Sequence, residues 1–186
     1  MAVPRTPRGP ADPDRRRRIV AAVLEIVEER GLIGVSHRTV AKQAGVPLGS
    51  TTYYFASLDD LLAAALEQVV DEYETRLRAS TERLAGKSGR RLAGALTDLV
   101  LEYLDDHGRT RAEYALCHAA MDRPGLRPLA ARYTQVSVDT LRTVVPHANA
   151  VALVAAIDGL LLRGLVAPVP LDRKEVQRAL TVIAPD

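Results

Sequence analysis

The chain has few of the residues that covalent frameworks and β-structures use. Among its 186 residues there is one cysteine, one phenylalanine and no tryptophan. A single thiol, that of Cys117, excludes an internal disulfide framework and a four-cysteine zinc site. β-Branched and aromatic residues do not gather into short alternating runs, which argues against a β-sandwich or a barrel. We therefore expect an all-α chain without disulfides.

The chain also lacks a large excess of charge of either sign, since its net charge is only +2. The distribution is uneven, however. Residues 1–55 hold nine Arg and Lys against five Asp and Glu, whereas residues 56–186 hold sixteen against eighteen. A basic first third on a mildly acidic remainder favours a polyanion-binding head attached to a body with another role.

Long uninterrupted hydrophobic runs are absent as well. The apolar stretch after the arginines at 15–18 ends at Glu25, so it does not read as a signal peptide. The stretch 150–167 contains Asp158 and Arg163, each of which costs about 2.5–3.5 kcal/mol near a bilayer centre. We expect no membrane partner and a cytoplasmic protein, with 150–167 as a helix buried on nearly all sides.

Apolar residues recur at three- and four-residue spacing along most of the chain, which predicts about nine helices and no strand. Residues 1–11, rich in proline and arginine, are expected to form a flexible basic arm. The predicted helices cover 12–31, 36–44, 48–54, 57–84, the stretch from Gly89 to near Gly108, the stretch up to Pro124, 126–145, 149–167 and a short segment after Asp172.

Two of these helices are short and are joined by Gly45-Val46-Pro47, which is the helix-turn-helix arrangement. Val35, Val40, Ala44, Val46 and Phe55 form its expected apolar seam. Small and hydroxylated residues at the exposed start of a helix suit a close approach to a DNA groove. The residues expected to point outward are Arg38, Thr39, Pro47, Leu48, Gly49, Ser50, Thr51 and Tyr53.

The stretch GLIGVSHRTVAKQAGVPLGSTTYYF at 31–55 resembles the DNA-binding domain of TetR-family transcriptional regulators. The resemblance implies a DNA-binding domain at 12–56 and an effector-binding and dimerisation domain at 57–186. It also implies a repressor that a small-molecule effector releases from a palindromic operator. By position, Ser36 and Arg38 would contact phosphates or a groove-edge base, Pro47 to Thr51 would enter the major groove, and Tyr53 and Tyr54 would lie near phosphates. The implied partners are double-stranded operator DNA, a second copy of the chain and an unidentified effector.

An effector pocket needs apolar walls with a few polar groups. The residues that offer this mixture are Leu99, Tyr103, His107, Tyr114, Cys117, His118 and Met121. Two pairs among them, Tyr103 with His107 and Tyr114 with His118, are spaced four apart on a helix. The alternative is that these pairs only pack in the core.

The helix at 149–167 is apolar in too many directions for one core, so one face is expected to meet the same helix of a second chain. The expected dimer-interface residues are Leu153, Ile157, Leu160 and Leu161. Ala155 and Gly159, four apart, would permit a close approach of the two backbones.

Catalytic and metal chemistry find little support in the sequence. The spacing of the candidate metal ligands does not predict that they converge on one ion; these are His107, Cys117, His118 and Asp122. The sequence also contains no nucleophile motif and no phosphate-loop motif. We expect no metal, no cofactor and no enzymatic activity. The remaining alternatives are a non-specific architectural DNA-binding protein and, less favoured, a helical enzyme or carrier.

Overall fold

The computed structural model describes residues 13–186, so the arm at 1–11 and the capping role expected of Asp12 lie outside the described residues. Within this range there are nine α-helices and no strand, which confirms the all-α prediction. They are α1 (Pro13–Arg30), α2 (His37–Gln43), α3 (Leu48–Tyr54), α4 (Leu58–Leu84), α5 (Gly89–Asp105), α6 (His107–His118), α7 (Arg127–Leu141), α8 (His147–Val166) and α9 (Arg173–Ile183). Short 3-10 turns lie at Leu32–Gly34, Ala119–Met121 and Pro124–Leu126.

Several helices begin where a polar side chain satisfies free backbone amides. Ser36 caps α2 and Ser57 caps α4, each in a reciprocal box with the residue three positions later. The Asp172 side chain accepts from the Glu175 amide at the start of α9. Gly45, with φ of 63°, adopts the left-handed conformation that turns the chain from α2 toward α3.

Four helix boundaries differ from the prediction by two residues or more. The α6 helix ends at His118 and a 3-10 turn follows, whereas the predicted helix continues up to Pro124. The α6 helix already begins at His107, so Gly108 lies inside a helix instead of ending one. The α7 helix ends at Leu141 and not at 145, because a turn precedes Pro146. The α8 helix begins at His147, directly after that proline.

Buried apolar residues form two cores. The first joins α1, α2 and the following Phe55 to the front half of α4, and it extends to α6 and α7. The second lies between α5, α8, α9 and the end of α7. At 27 residues, α4 is about 40 Å long and runs from the first core to the edge of the second. One continuous helix thus connects the helix-turn-helix to the body, and the domain boundary at 56/57 stays a prediction.

Candidate DNA-binding surface and effector cavity

The start of α2 is held by local hydrogen bonds. The Ser36 hydroxyl accepts from the Thr39 amide at 3.1 Å, and the Thr39 hydroxyl donates to the Gly34 carbonyl at 2.8 Å. The Ser36 side chain is exposed and that of Thr39 is half-buried. Both hydroxyls therefore stabilise the start of α2. A DNA phosphate could bind them only alongside these backbone hydrogen bonds.

Arg38, in the first turn of α2, has a different setting. Its side chain is exposed, and no residue in the described range forms an ion pair with it. An exposed guanidinium without an ion-pair partner is suited to a phosphate or to a guanine edge.

The start of α3 presents small and apolar groups to the outside. Pro47 and Gly49 are exposed, Leu48 is 50% exposed, and Ser50 is half-buried. A Cβ added at Gly49 would meet no atom within 4 Å, so the fold itself does not require glycine there. At the other end of α3, Tyr53 is 70% exposed and packs edge-on against half-buried Tyr54, with 5.1 Å between ring centroids.

The expectation that Thr51 points outward is wrong. Its side chain is fully buried, and its hydroxyl donates to the Leu48 carbonyl at 2.8 Å. In a helix of seven residues one face must pack against the neighbouring helices, and Thr51 lies on that face.

The sequence analysis missed a basic surface at the start of α1. Arg16, Arg17 and Arg18 are exposed, and the Arg16 guanidinium lies 5.4 Å from the centre of the Phe55 ring, just beyond α3. The run of four arginines was the available signal: it contributes to the basic first third of the chain, but the sequence analysis assigned it no DNA contact. Their position next to the end of α3 adds positive charge to the candidate DNA-binding surface.

The body contains a mostly apolar cavity between α4, α5, α7 and α8, called the central cavity below. The centre of a water molecule can reach about 50 Å³ of it, and the surrounding non-atom space, which includes open solvent at the mouth, is about 580 Å³. Its wall includes Tyr73, Leu77, Leu99, Tyr103, Ser137, Ile157 and Asp158. Leu99 and Tyr103 are thus the two expected pocket residues that line it. The predicted set names no residue of α4, α7 or α8, and the one polar signal for them in the sequence is an aspartate inside an apolar helix.

The other expected pocket residues lie elsewhere. Tyr114, Cys117 and His118 line a separate side opening between α6, α7 and α8, which shares Asp158 with the central cavity. His107 and Met121 line neither space. His107 is exposed at the start of α6, with its Nε2 3.3 Å from the Leu165 carbonyl oxygen, and Met121 is 70% exposed on the turn after that helix. Their helical spacing suggested a single pocket. In the structure they lie at opposite ends of α6 and on the turn that follows it, and they face different surfaces.

Two carboxylates lie inside the body with contrasting partners. Glu113, 2% exposed, pairs with Arg76 at 2.6 Å and with Arg109 at 3.0 Å. Asp158 accepts one hydrogen bond, from the Tyr114 hydroxyl at 2.9 Å. Burial raises the pKa of Asp158, and the Tyr114 hydrogen bond and the nearby charge of His118 offset part of that rise.

Cys117 has no sign of a reactive thiol. Burial raises the pKa of its thiol to about 12, so the thiolate is scarce at neutral pH. Within residues 13–186, no three potential metal ligands come together.

The expected dimer-interface residues point inward. Leu153, Leu160 and Leu161 are buried in the second core, and half-buried Ile157 lines the central cavity. An apolar helix does not reveal which face is inside, and here α5, α7 and α9 cover the side that was chosen. The opposite side of α8 is an exposed apolar stripe, called the α8 stripe below, of Val151, Ala152, Ala155, Gly159, Leu162 and Val166.

By length and composition, α8 is also the one helix in the described range that could cross a membrane. A helix buried in a core or an interface has the same composition, and Asp158 and Arg163 lie within it. We therefore read it as a packing helix.

A family model described as "Tetracyclin repressor-like, C-terminal domain" matches residues 87–186. The HTH-type transcriptional regulator BetI of Stenotrophomonas maltophilia is 30% identical over 170 residues, covering 85% of each chain. The chain belongs to the TetR family. Members of this family are ligand-responsive, DNA-binding repressors and not enzymes, as the sequence predicts.

Solved structures agree with this TetR-family membership. The multidrug binding protein EbrR complexed with imidazole is 41% identical, with a TM-score of 0.83 over 94% of this chain and 97% of that one. Other EbrR structures hold ethidium, malachite green and proflavin. A TetR-family member from Streptomyces coelicolor A3 is 40% identical, with a TM-score of 0.80 over 94% of this chain and all of that one.

Proposed function

We propose that two copies of this chain bind a palindromic operator in the cytoplasm through α2 and α3, and that a small molecule in the central cavity releases them. The observation that carries the proposal is the start of α3, where a half-exposed leucine and a glycine with open space above it face outward. This surface suits contact with thymine methyl groups and base edges in the major groove.

The proposed DNA contacts divide by chemistry. Pro47, Leu48, Gly49 and Ser50 lie in the major groove, while Arg38 reads a base edge or a phosphate. Contacts to the phosphate backbone come from the remaining residues: Ser36, Tyr53, Tyr54, the exposed arginines at 16–18 and the arm at 1–11. Thr39 and Thr51 act indirectly, because their hydroxyls stabilise the starts of α2 and α3.

The proposed dimer forms through the α8 stripe. Its exposed valines and leucine would be costly to leave in water, since Val166 is 75% and Leu162 is 46% exposed. Ala155 and Gly159 leave room for the partner's backbone to approach. A two-fold axis at this helix places two copies of α3 on one face of a duplex.

The proposed effector site is the central cavity. EbrR accommodates flat polycyclic and triaryl molecules, which supports an aromatic ligand for a cavity of similar fold. Two helices link this cavity to the head. Tyr73 and Leu77 of α4 line it, while the front of α4 packs against the helix-turn-helix. On α6, Tyr114 bonds Asp158 at the cavity wall, while Arg111 donates to the Glu28 carbonyl of α1.

A selection from a random duplex library tests the proposed function. The full-length protein should enrich one palindrome whose half-site centres lie about 34–36 Å apart. It should bind this palindrome about 10³–10⁷-fold more tightly than random duplex. Enrichment without a consensus sequence would contradict sequence-specific repression and favour the architectural alternative.

A further inference from the structure

The two carboxylates inside the body differ in how their charge is neutralised. The Glu113 carboxylate is held by two guanidinium groups and lies near the Tyr133 hydroxyl, at 3.4 Å. Among residues 13–186, no arginine, lysine or histidine forms an ion pair with Asp158. A desolvated carboxylate without an ion-pair partner is costly, and a partner offsets part of that cost. The chain thus neutralises one of its inner acids and leaves the other with a single phenol donor.

The surroundings of Asp158 increase this contrast. It is the only acidic residue on the wall of the central cavity, where its neighbours are leucines, valines, tyrosines and a few hydroxyls. Arg163, five positions further along α8, is paired with Glu175 at 2.8 Å. His118 is exposed, its ring is tilted by 60° to that of Tyr114 with 5.7 Å between centroids, and it lines the same side opening as Asp158 without forming an ion pair with it. The cavity wall therefore carries one negative group and aromatic rings.

We propose that the effector is an aromatic cation, and that its positive group takes the place of the missing counter-charge beside Asp158. This inference rests on the proposed effector role of the central cavity. The rings of the ligand replace water against Leu99 and Ile157. The Tyr73 ring is stacked on Tyr133 at 4.1 Å, and the Arg76 guanidinium lies over the Tyr73 and Tyr103 rings, so the positive charge of the ligand is assigned to Asp158 and not to these rings.

Other charge states fit the cavity less well. An anion would place like charge against Asp158 in a medium of low dielectric constant. A neutral ligand would remove water from the carboxylate and give it no counter-charge in return. Arg76 lines the adjoining opening and not the central cavity, and it is paired with Glu113. A permanent positive charge is the one feature that improves the interaction with Asp158.

Acridine and N-methylacridinium test the proposal, because the two have nearly the same rings and differ by one permanent charge. At pH 8 acridine is largely neutral. Titration of the full-length wild-type protein, without DNA, should show N-methylacridinium binding about tenfold or more tightly than acridine. Equal affinities, a preference for acridine, or binding of neither compound would overturn the proposal.

Variants at one position assign the preference to Asp158. Asp158→Asn keeps the size of the side chain and an acceptor for Tyr114, so it should remove the preference. It should weaken binding of the cation and, because no charge is left to desolvate, bind acridine at least as tightly as wild type does. Asp158→Glu should retain the preference. As a matched control, Asp105→Asn removes an exposed carboxylate from α5 and should change neither affinity. If Asp158→Asn still prefers the cation tenfold, the assignment to Asp158 is wrong.

A release experiment separates this inference from the proposed function. Malachite green is used there, because its twisted rings are poorly suited to intercalation. If the cation binds in an Asp158-dependent way but leaves operator binding intact, the charge recognition stands and the effector role fails. If neutral and cationic ligands bind equally and both release the operator, the effector role stands and the charge recognition fails.

Discussion

Arg38 is the side chain whose role in DNA binding can be measured most directly. It is exposed and free of described ion pairs, so its removal should not disturb the fold. Arg38→Ala should weaken binding to the selected operator by about 1–3 kcal/mol if the guanidinium reads a base edge. If it only contacts a phosphate, the loss should be similar on every sequence, and the salt dependence should fall by about one counterion.

Fluorescence anisotropy at several salt concentrations measures both quantities. Arg91→Ala, which removes an exposed arginine from α5, is the matched control and should leave operator binding unchanged. Unchanged operator affinity in Arg38→Ala would refute the placement of α2 at the DNA.

Asp158 should make the free protein less stable at neutral pH. Burial raises the pKa of this carboxyl above its ordinary 3.8, so the folded state holds the proton more tightly than the unfolded state. The stability that comes from protonation is complete below pH 3.8 and is lost as the pH rises through the raised value. Asp158→Asn, which cannot ionise, should therefore raise the melting temperature at pH 8.

Thermal melts followed by circular dichroism at pH 4 and pH 8 check this sign. The advantage of the variant should be greatest at pH 8 and should shrink toward pH 4. A variant that is less stable than wild type at pH 8 would mean that the ionised carboxylate is well accommodated. Functional sites commonly carry such a cost in stability.

A substitution at Gly49 in α3 should change stability and DNA affinity in opposite directions. Since an added Cβ meets nothing within 4 Å, Gly49→Ala should stabilise the helix by up to ~1 kcal/mol. The new methyl group would stand where the groove is proposed to lie, so operator affinity should fall. Gly108→Ala is the matched control, because Gly108 is also the second residue of a helix with open space around it.

Denaturant unfolding and operator binding, measured for both variants, test whether the start of α3 lies close to the bases. Both should gain stability, and only Gly49→Ala should lose affinity. If Gly49→Ala binds the operator as wild type does, the start of α3 does not lie close to the bases.

The bounds of several helices could be predicted because local sequence signals set them. The caps at Ser36, Ser57 and Asp172, together with the turn at Gly45, act within a few residues, so the bounds of α2, α3 and α4 followed from the sequence. The orientation of each face did not. Thr51 is buried because of what packs on a seven-residue helix, and hydrophobic spacing cannot show that for so short a segment.

The predicted interface side of α8 was wrong for a different reason. It is apolar nearly all round, so periodicity does not distinguish the core side from the α8 stripe. Asp158 was recognised as an obstacle to membrane insertion, but its place in the central cavity depends on α4 and α5, which are distant in the sequence. Sites assembled from several helices need the tertiary arrangement.

For the whole molecule, the α8 stripe should decide the oligomeric state. Leu162→Glu would place a charge at the centre of the proposed two-fold contact, so the dimer should dissociate to a species of 20.1 kDa. Ile33→Glu, at an almost fully exposed residue of the head, is the control and should leave the dimer intact. Light scattering measures the mass. A dimeric Leu162→Glu protein, or a monomeric wild type at micromolar concentration, would contradict this interface.

The central claim is that the cavity and the DNA-binding head control each other. Calorimetric titration with malachite green, carried out on the free protein and on the protein saturated with the selected operator, tests it most directly, with a titration of the duplex alone as the blank. Because coupling is reciprocal, the operator should weaken ligand binding by about 5–150-fold, corresponding to about 1–3 kcal/mol. Equal ligand affinity with and without the operator would contradict the account.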